Sequence, residues 1–217
     1  MRILSRFMPF FFHHFYHSFA WTYDFVAAVV SIGRWNDWVQ TIVPYIQGAT
    51  ILEIGHGPGN LQHLLRNRDI SVIGLDESIQ MIHLAKKRLK KAGYKTINLT
   101  RGLAQMLPFP DAKFDSVIST FPSEYVMDPR TLSGIYRVLR EDGCFIVMPA
   151  AWIVGKKILD KAAAWLFRIT GETPTEFIGV ASARFVPPLE KAGFQVVARQ
   201  VEIRSSNVLI LIASKNH

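Results

Sequence analysis

The sequence predicts a doubly wound α/β domain built on a mostly parallel seven-stranded sheet, with a helical lid ahead of it. Three observations predict this. A short apolar strand, residues 50–54, runs into a turn with glycines at alternate positions, Gly55, Gly57 and Gly59, and then into a helix. Glycine serves where the backbone must take positive φ or lie against a ligand, and the start of a helix offers unpaired N–H groups. A second apolar strand, Val72 to Leu75, ends in Asp76. A carboxylate about 20 residues past such a turn sits where doubly wound folds hydrogen-bond ribose hydroxyls. Finally, strands and helices alternate from Ala49 onward, which calls for right-handed crossovers and a parallel sheet with helices on both faces.

Taken in order, residues 1–48 form a first unit. Aromatic side chains crowd Phe7 to Phe25, together with His13, His14 and His17 and with Arg2 and Arg6 in front. The histidines and Pro9 make this a poor membrane span, for which about 20 mostly apolar residues are needed. The short apolar run without a small-residue cleavage site also makes a poor secretion signal. The segment reads as a helical cover packed over the domain, with contact to a membrane interface as the second reading. Residues 49–217 form the second unit. Its expected elements are strand 50–54, helix 59–67, strand 70–75, helix 78–92, strand 96–100, strand 114–119, helix 129–139 and strand 143–149. Ser78 suits the N-cap of its helix, Gly93 the C-cap, and Asp128-Pro129 opens the next helix. Residues 154–169 carry apolar positions at helical spacing against lysines and Arg168, an amphipathic insertion ended by Gly171-Glu172-Thr173-Pro174. A short helix at 187–192 and an antiparallel hairpin, 195–204 with 207–214, close the pattern.

Composition narrows the chemistry. The 217 residues contain one cysteine, Cys144, which excludes an internal disulfide framework and fits a reducing compartment. A net charge of +8 admits nucleic acid, anionic lipid or a basic surface. Lys86, Lys87, Arg88, Lys90, Lys91 and Lys95 cluster on and after one helix without interleaved aromatics before Tyr94, so they read as a solvated helix face. His13, His14 and His17 share a helical spacing but have no carboxylate or cysteine partner nearby, and no metal site is expected.

The ligand follows from the turn. The dinucleotide fingerprint is G-x-G-x-x-G, whereas this chain reads Glu53-x-Gly55-x-Gly57-x-Gly59. A carboxylate in that place would repel a pyrophosphate and suits a ligand with an ammonium group or another positive charge. Here the chain resembles the class I S-adenosylmethionine-dependent methyltransferases, whose first motif has this form. Gly102 to Phe109 resembles their adenine-flanking loop, Phe114 to Ser119 their fourth strand, and Ile135 to Val147 the helix, turn and fifth strand that follow. Tyr23-Asp24, with Ser31 to Trp35 and Trp38, is similar to the helical opening region of the ubiquinone and menaquinone biosynthesis C-methyltransferases. The resemblance implies S-adenosyl-L-methionine as cofactor. It places Glu53, Gly55, Gly57, Gly59 and Tyr23 around the methionyl part, Asp76 on the ribose, Ser78 and Met81 beside ribose and adenine, Ala104 and Gln105 at the adenine edge, and Thr120 after the fourth strand.

Two positions depart from that pattern. Leu103 stands where many relatives carry an acid that accepts from the adenine amino group, leaving backbone groups and Gln105 for that task. His56 occupies a place more often small or apolar, and either faces the transferred methyl or caps a strand end. Should the acceptor lose a proton, His13, His14, His17, Tyr23, His56 and Glu124 are candidate bases. Tyr23, His56 and Glu124 are the candidate catalytic residues. Glu124 and Tyr125 follow the fourth strand, where an acceptor pocket opens in this architecture. Ser119 to Tyr125 lacks the Pro-Pro-Tyr-type tetrapeptide of nucleic-acid N-methyltransferases. The aromatic N-terminal segment and the 154–169 insertion imply a small hydrophobic acceptor such as a quinone precursor or lipid-like metabolite. The expected location is cytoplasmic, with membrane association through residues 1–48 as a second reading. The alternatives left open are an RNA methyltransferase and a non-catalytic module at a membrane surface; oligomeric state is open.

Overall fold

The computed structural model describes residues 34–154 and 174–215. Tyr23 and the aromatic segment, and nearly all of the amphipathic insertion, lie outside the described residues. Helix α1 (Trp35–Gln40) precedes a sheet of β1 (Ile51–Ile54), β2 (Val72–Asp76), β3 (Leu99–Arg101), β4 (Phe114–Thr120), β5 (Leu139–Ile153), β6 (Phe194–Ile203) and β7 (Ser206–Lys215). Helices α2 (Asn60–Arg66), α3 (Ile79–Lys91), α4 (Pro129–Val138) and α5 (Pro174–Lys191) make the crossovers and cover the faces. The strand order is β3-β2-β1-β4-β5-β7-β6, with β7 antiparallel to both neighbours.

The sheet is apolar on both faces, as burial under helices on both sides demands. Along β5, Phe145 and Val147 join one core with Phe114, Leu132 and Ile135, whereas Ile146 and Met148 join the other with Trp38, Leu61 and Leu65. Strand β1 is buried at all four residues, so its C-terminal end is a fixed platform for the turn that follows. Ser78 caps α3 by accepting from Met81 N–H, and Asp128 caps α4 by accepting from Arg130 N–H.

Three elements differ from the expectations. Strand β3 is only three residues long because just Leu99, Thr100 and Arg101 reach pairing register with β2. Strand β5 begins at Leu139, which is buried opposite Phe114, and the register then shifts so that Cys144 faces Ser116; Glu141-Asp142-Gly143 is a bulge within the strand, not a loop before it. The expected short helix at 187–192 is the end of an 18-residue helix that runs through Pro187 and Pro188. Proline reads as a helix boundary because it lacks an N–H and restricts the residue before it. Here buried Leu189 and bonds from Ala192 N–H to the carbonyls of Pro188 and Leu189 continue the packing past it.

Candidate active site

The glycine turn leaves β1 at the C-terminal edge of the sheet, and β2 holds it there. Gly55 N–H donates to the Leu75 carbonyl at 2.8 Å. The Asp76 carboxylate then accepts twice from backbone, from Gly57 N–H at 2.8 Å and from Ser78 N–H at 2.9 Å. One side chain thereby ties the turn to the start of α3, and each of its oxygens keeps a lone pair for a ligand hydroxyl. Gly57 has φ +52 and open space where a β-carbon would stand, so ligand atoms can approach its backbone. Gly55, at φ +70, has the Tyr125 hydroxyl in that place instead. Gly59 serves packing: a β-carbon there would press on the Ala85 methyl of α3 at 2.9 Å.

Beneath the turn lies a polar cluster. Glu53 is 1% exposed, and Gln62 of α2 donates to its Oε2 at 2.7 Å. Burial pushes the Glu53 carboxyl up to about 8; the Gln62 bond opposes that shift and the Asp76 charge adds to it. His56 is buried with Nδ1 2.7 Å from the Gly57 carbonyl, which can only accept, so Nδ1 carries the proton and Nε2 is left as an acceptor. Its ring packs beside Gly74 and Gln62, and burial lowers its pKa although the Asp76 charge pulls the other way. His56 Nε2 and Gln62 Oε1 are both buried without a hydrogen-bond partner.

A small open crevice is lined by Glu53, Gly55, Gly57 and Thr120 on the sheet side and by Trp35 and Val39 of α1 on the other. Phe121, the residue after Thr120, is held at φ +48, with its N–H bonded to the Met148 carbonyl at 2.7 Å. Its ring meets Trp35 at a centroid distance of 4.4 Å. An apolar aromatic wall thus stands beside the crevice, over the end of β4.

The other expected site residues divide. Thr120 reaches the crevice; Ser78 stands at the Asp76 carboxylate. Met81 is buried in the core, at 4% exposure. Ala104 is buried in the short turn after β3, whereas the Gln105 side chain hydrogen-bonds Asp128. Leu103 and Ile79 are exposed, two apolar side chains in the segments that leave β3 and β2. Glu124 is swung to solvent and pairs with Arg184 of α5 at 2.7 Å, away from the glycine turn. Sequence reasoning did not single out Gln62, Val39 or the reach of Tyr125 to Gly55. Gln62 had one signal: a polar residue two positions into a helix whose neighbours on the sheet side are apolar.

The donor and acceptor inventory identifies the ligand class. Among the described residues lining the crevice there is no lysine or arginine, and the polar cluster beneath the turn holds the buried Glu53 carboxyl and two buried acceptor atoms that lack partners. Such a site rejects a pyrophosphate and fits a ligand that brings N–H donors and positive charge. Its ribose would meet Asp76, as in other doubly wound folds. The arrangement is that of an α/β domain for an adenosyl ligand with a cationic amino-acid part, which S-adenosyl-L-methionine is.

Comparison with known proteins supports the same class. Residues 52–147 match the methyltransferase domain family. A demethylmenaquinone methyltransferase of Symbiobacterium thermophilum is 37% identical over 144 residues, which is 63% of this chain and 57% of that protein. A ubiquinone/menaquinone biosynthesis C-methyltransferase of Geotalea uraniireducens is 27% identical over 58% of this chain and 57% of its own length. The matched region therefore spans little more than half of these curated relatives. In fold, a SAM-dependent methyltransferase from Aquifex aeolicus superposes with a TM-score of 0.57 at 19% identity, covering 83% of this chain and 91% of its own. Residues 52–147 thus carry the methyltransferase-domain match, and the described residues share the fold of solved SAM-dependent methyltransferases.

Proposed function

We propose that the protein transfers a methyl group from S-adenosyl-L-methionine to a small apolar acceptor, a quinone precursor or lipid-like metabolite. The observation that carries the cofactor is a buried Glu53 carboxyl with two buried acceptor atoms without partners, His56 Nε2 and Gln62 Oε1, beneath the turn, and no lysine or arginine among the described residues that line the crevice. Glu53 would face the ammonium group and Asp76 the ribose hydroxyls, while the open backbone of Gly57 lets both approach. The cofactor supplies an electrophilic methyl on a positively charged sulfur. The chain's residues hold it, align the acceptor and exclude water, which is the protein's share in chemistry that the cofactor already contains.

The apolar character of the acceptor is supported by Trp35, Val39 and Phe121 beside Thr120, where the crevice opens past the end of β4. The names of the matched relatives point to quinone rings. The aromatic composition of residues 1–48 suits a cover for an apolar acceptor, with contact at a membrane interface as the second reading. No helix among the described residues is long and apolar enough to cross a membrane.

Calorimetry with S-adenosyl-L-methionine tests the first part and label transfer to a panel of isoprenoid phenols, phospholipid amines and polar metabolites the second. Binding with transfer to the apolar set is expected. Transfer confined to the polar set would overturn the acceptor class, and absence of binding at millimolar cofactor would overturn the whole reading.

A further inference from the structure

Helix α1, which supplies Trp35 and Val39 to the crevice, is a weak helix by itself. It has six residues and no side-chain bond at its N-cap, too little to persist without tertiary support. Buried Trp38 and Val39 anchor it in the core. Charged contacts with the β6–β7 hairpin complete the hold. Strand β5 runs on past Met148, the partner of Thr120 at the end of β4, as far as Ile153, and β7 accompanies it from Ser206, so the hairpin tip stands beyond the sheet edge where the crevice opens. There Arg204 pairs with Asp37, the third residue of α1, at 2.8 Å. In return Arg34, just ahead of α1, donates to the Ser205 carbonyl at 3.2 Å and to Ser206 Oγ at 3.4 Å. The Ser205 carbonyl also accepts from Val154 N–H at 2.8 Å, so one atom joins the tip, the end of β5 and the approach to α1.

Arginine is an uncommon residue for the place that Arg204 holds. Ile203 pairs with Ser206, leaving a two-residue turn in which Arg204 takes φ +53, a conformation that hairpin turns ordinarily give to glycine, asparagine or aspartate. The residue carries a backbone cost that glycine would avoid, and its guanidinium is the part that reaches α1. An exposed ion pair by itself contributes little to stability. Here the pair bears on a short helix whose placement decides where two crevice side chains stand. Resting on the acceptor reading above, we propose that Arg204 and Asp37 are positioning residues for the acceptor: their pair fixes α1 on the hairpin tip and so sets the stand of Trp35 against Phe121 and of Val39 in the crevice. The glycine turn is fixed separately, by β1, β2 and the Asp76 bonds to Gly57 and Ser78. Loosening α1 therefore weakens the hold on the acceptor and leaves that on the cofactor intact.

Arg204→Gly separates positioning from stability, because glycine relieves the turn while removing the guanidinium, so the thermal midpoint should hold or rise. With an isoprenoid phenol that the wild-type chain methylates, KM for the phenol should rise about two- to fivefold, with kcat and the calorimetric affinity for S-adenosyl-L-methionine unchanged. Hydrogen exchange at the Trp38 and Thr41 amides, which bond to the Arg34 and Trp38 carbonyls, should quicken by a similar factor. The swapped pair, Asp37→Arg with Arg204→Asp, should restore both readouts, since aspartate also tolerates the positive φ. Unchanged KM or unchanged exchange in Arg204→Gly, an equal loss of cofactor affinity, or a swap that restores neither readout would overturn the proposal. A wild-type chain that methylates no phenol would remove the acceptor reading and the acceptor role with it, whereas the exchange measurement still decides whether Arg204 holds α1.

Discussion

The Tyr125 hydroxyl stands where a β-carbon on Gly55 would be, while the Tyr125 Cζ is 3.4 Å from that point, at ordinary contact distance. A methyl group at position 55 therefore clashes with the oxygen but not with the ring. Gly55→Ala should destabilise by about 2–3 kcal/mol, part from the positive φ and part from overpacking. In the Tyr125→Phe background the steric part should disappear, giving a favourable coupling of about 1 kcal/mol in a double-mutant cycle measured by urea unfolding. Additive costs would mean that the two residues do not touch in solution.

Glu53 makes stability and cofactor binding depend on pH in opposite directions. Its folded-state pKa of about 8 lies above the unfolded value of 4.5, so the fold binds the extra proton and loses stability as pH rises from about 5 to 8. That loss is on the order of 5 kcal/mol at most without ligand. A cationic ligand stabilises the ionised form, so affinity for S-adenosyl-L-methionine should rise over the same interval and binding should release a proton. Glu53→Gln keeps an acceptor for Gln62 and should flatten the stability curve, while weakening cofactor binding. Unfolding from pH 5 to 9, and calorimetry in buffers of different ionisation enthalpy, measure both. His56 acts at the acid end: burial lowers its pKa, so stability falls as pH drops through and below the ordinary histidine range near 6.5.

Asp76 should matter even to the ligand-free protein. Asp76→Asn turns one of its two acceptors into a donor facing Gly57 or Ser78 N–H. The expected cost is about 1–3 kcal/mol of stability in thermal unfolding. Cofactor affinity should fall further than stability alone explains, at least tenfold by calorimetry. Loss of affinity without any loss of stability would show that the carboxylate does not hold the turn.

Phe121 carries a backbone conformation that glycine adopts freely, φ +48. In most strands Gly is worse than Ala, by roughly 0.5–1 kcal/mol. At position 121 the order should reverse, with Phe121→Gly more stable than Phe121→Ala by about 1 kcal/mol because the strain is relieved. Both should be less stable than wild type, through loss of the contact with Trp35. The usual ranking in a thermal-shift comparison would argue against a strained backbone there.

What sequence made legible was whatever depends on local pattern. The β1–turn–α2 unit, Asp76 at the end of β2 and the caps Ser78 and Asp128 follow from residue types at fixed spacing, and the structure has them there. The start of β5 was not legible, because Leu139 continues the apolar period of α4 and only its pairing with Phe114 makes it strand. Nor was α5, where two prolines mark a boundary that burial of Leu189 overrides. In the site, Glu53 and the glycines were readable as a motif. The Gln62 bond to Glu53, the Arg184 pair that draws Glu124 outward and the approach of Tyr125 to Gly55 join residues 9, 60 and 70 positions apart, and no local pattern encodes them.

Strand β7 is the last of the seven to be synthesised, yet it belongs inside the sheet, between β5 and β6. Until it emerges, β5 presents an unsatisfied edge and β6 has no neighbour at all. Its run from Val208 to Ala213 is uncharged and almost wholly buried once in place, the composition that self-associates when exposed. Nascent chains halted before this strand should therefore hold a competent glycine turn in an unfinished sheet and depend on holding chaperones.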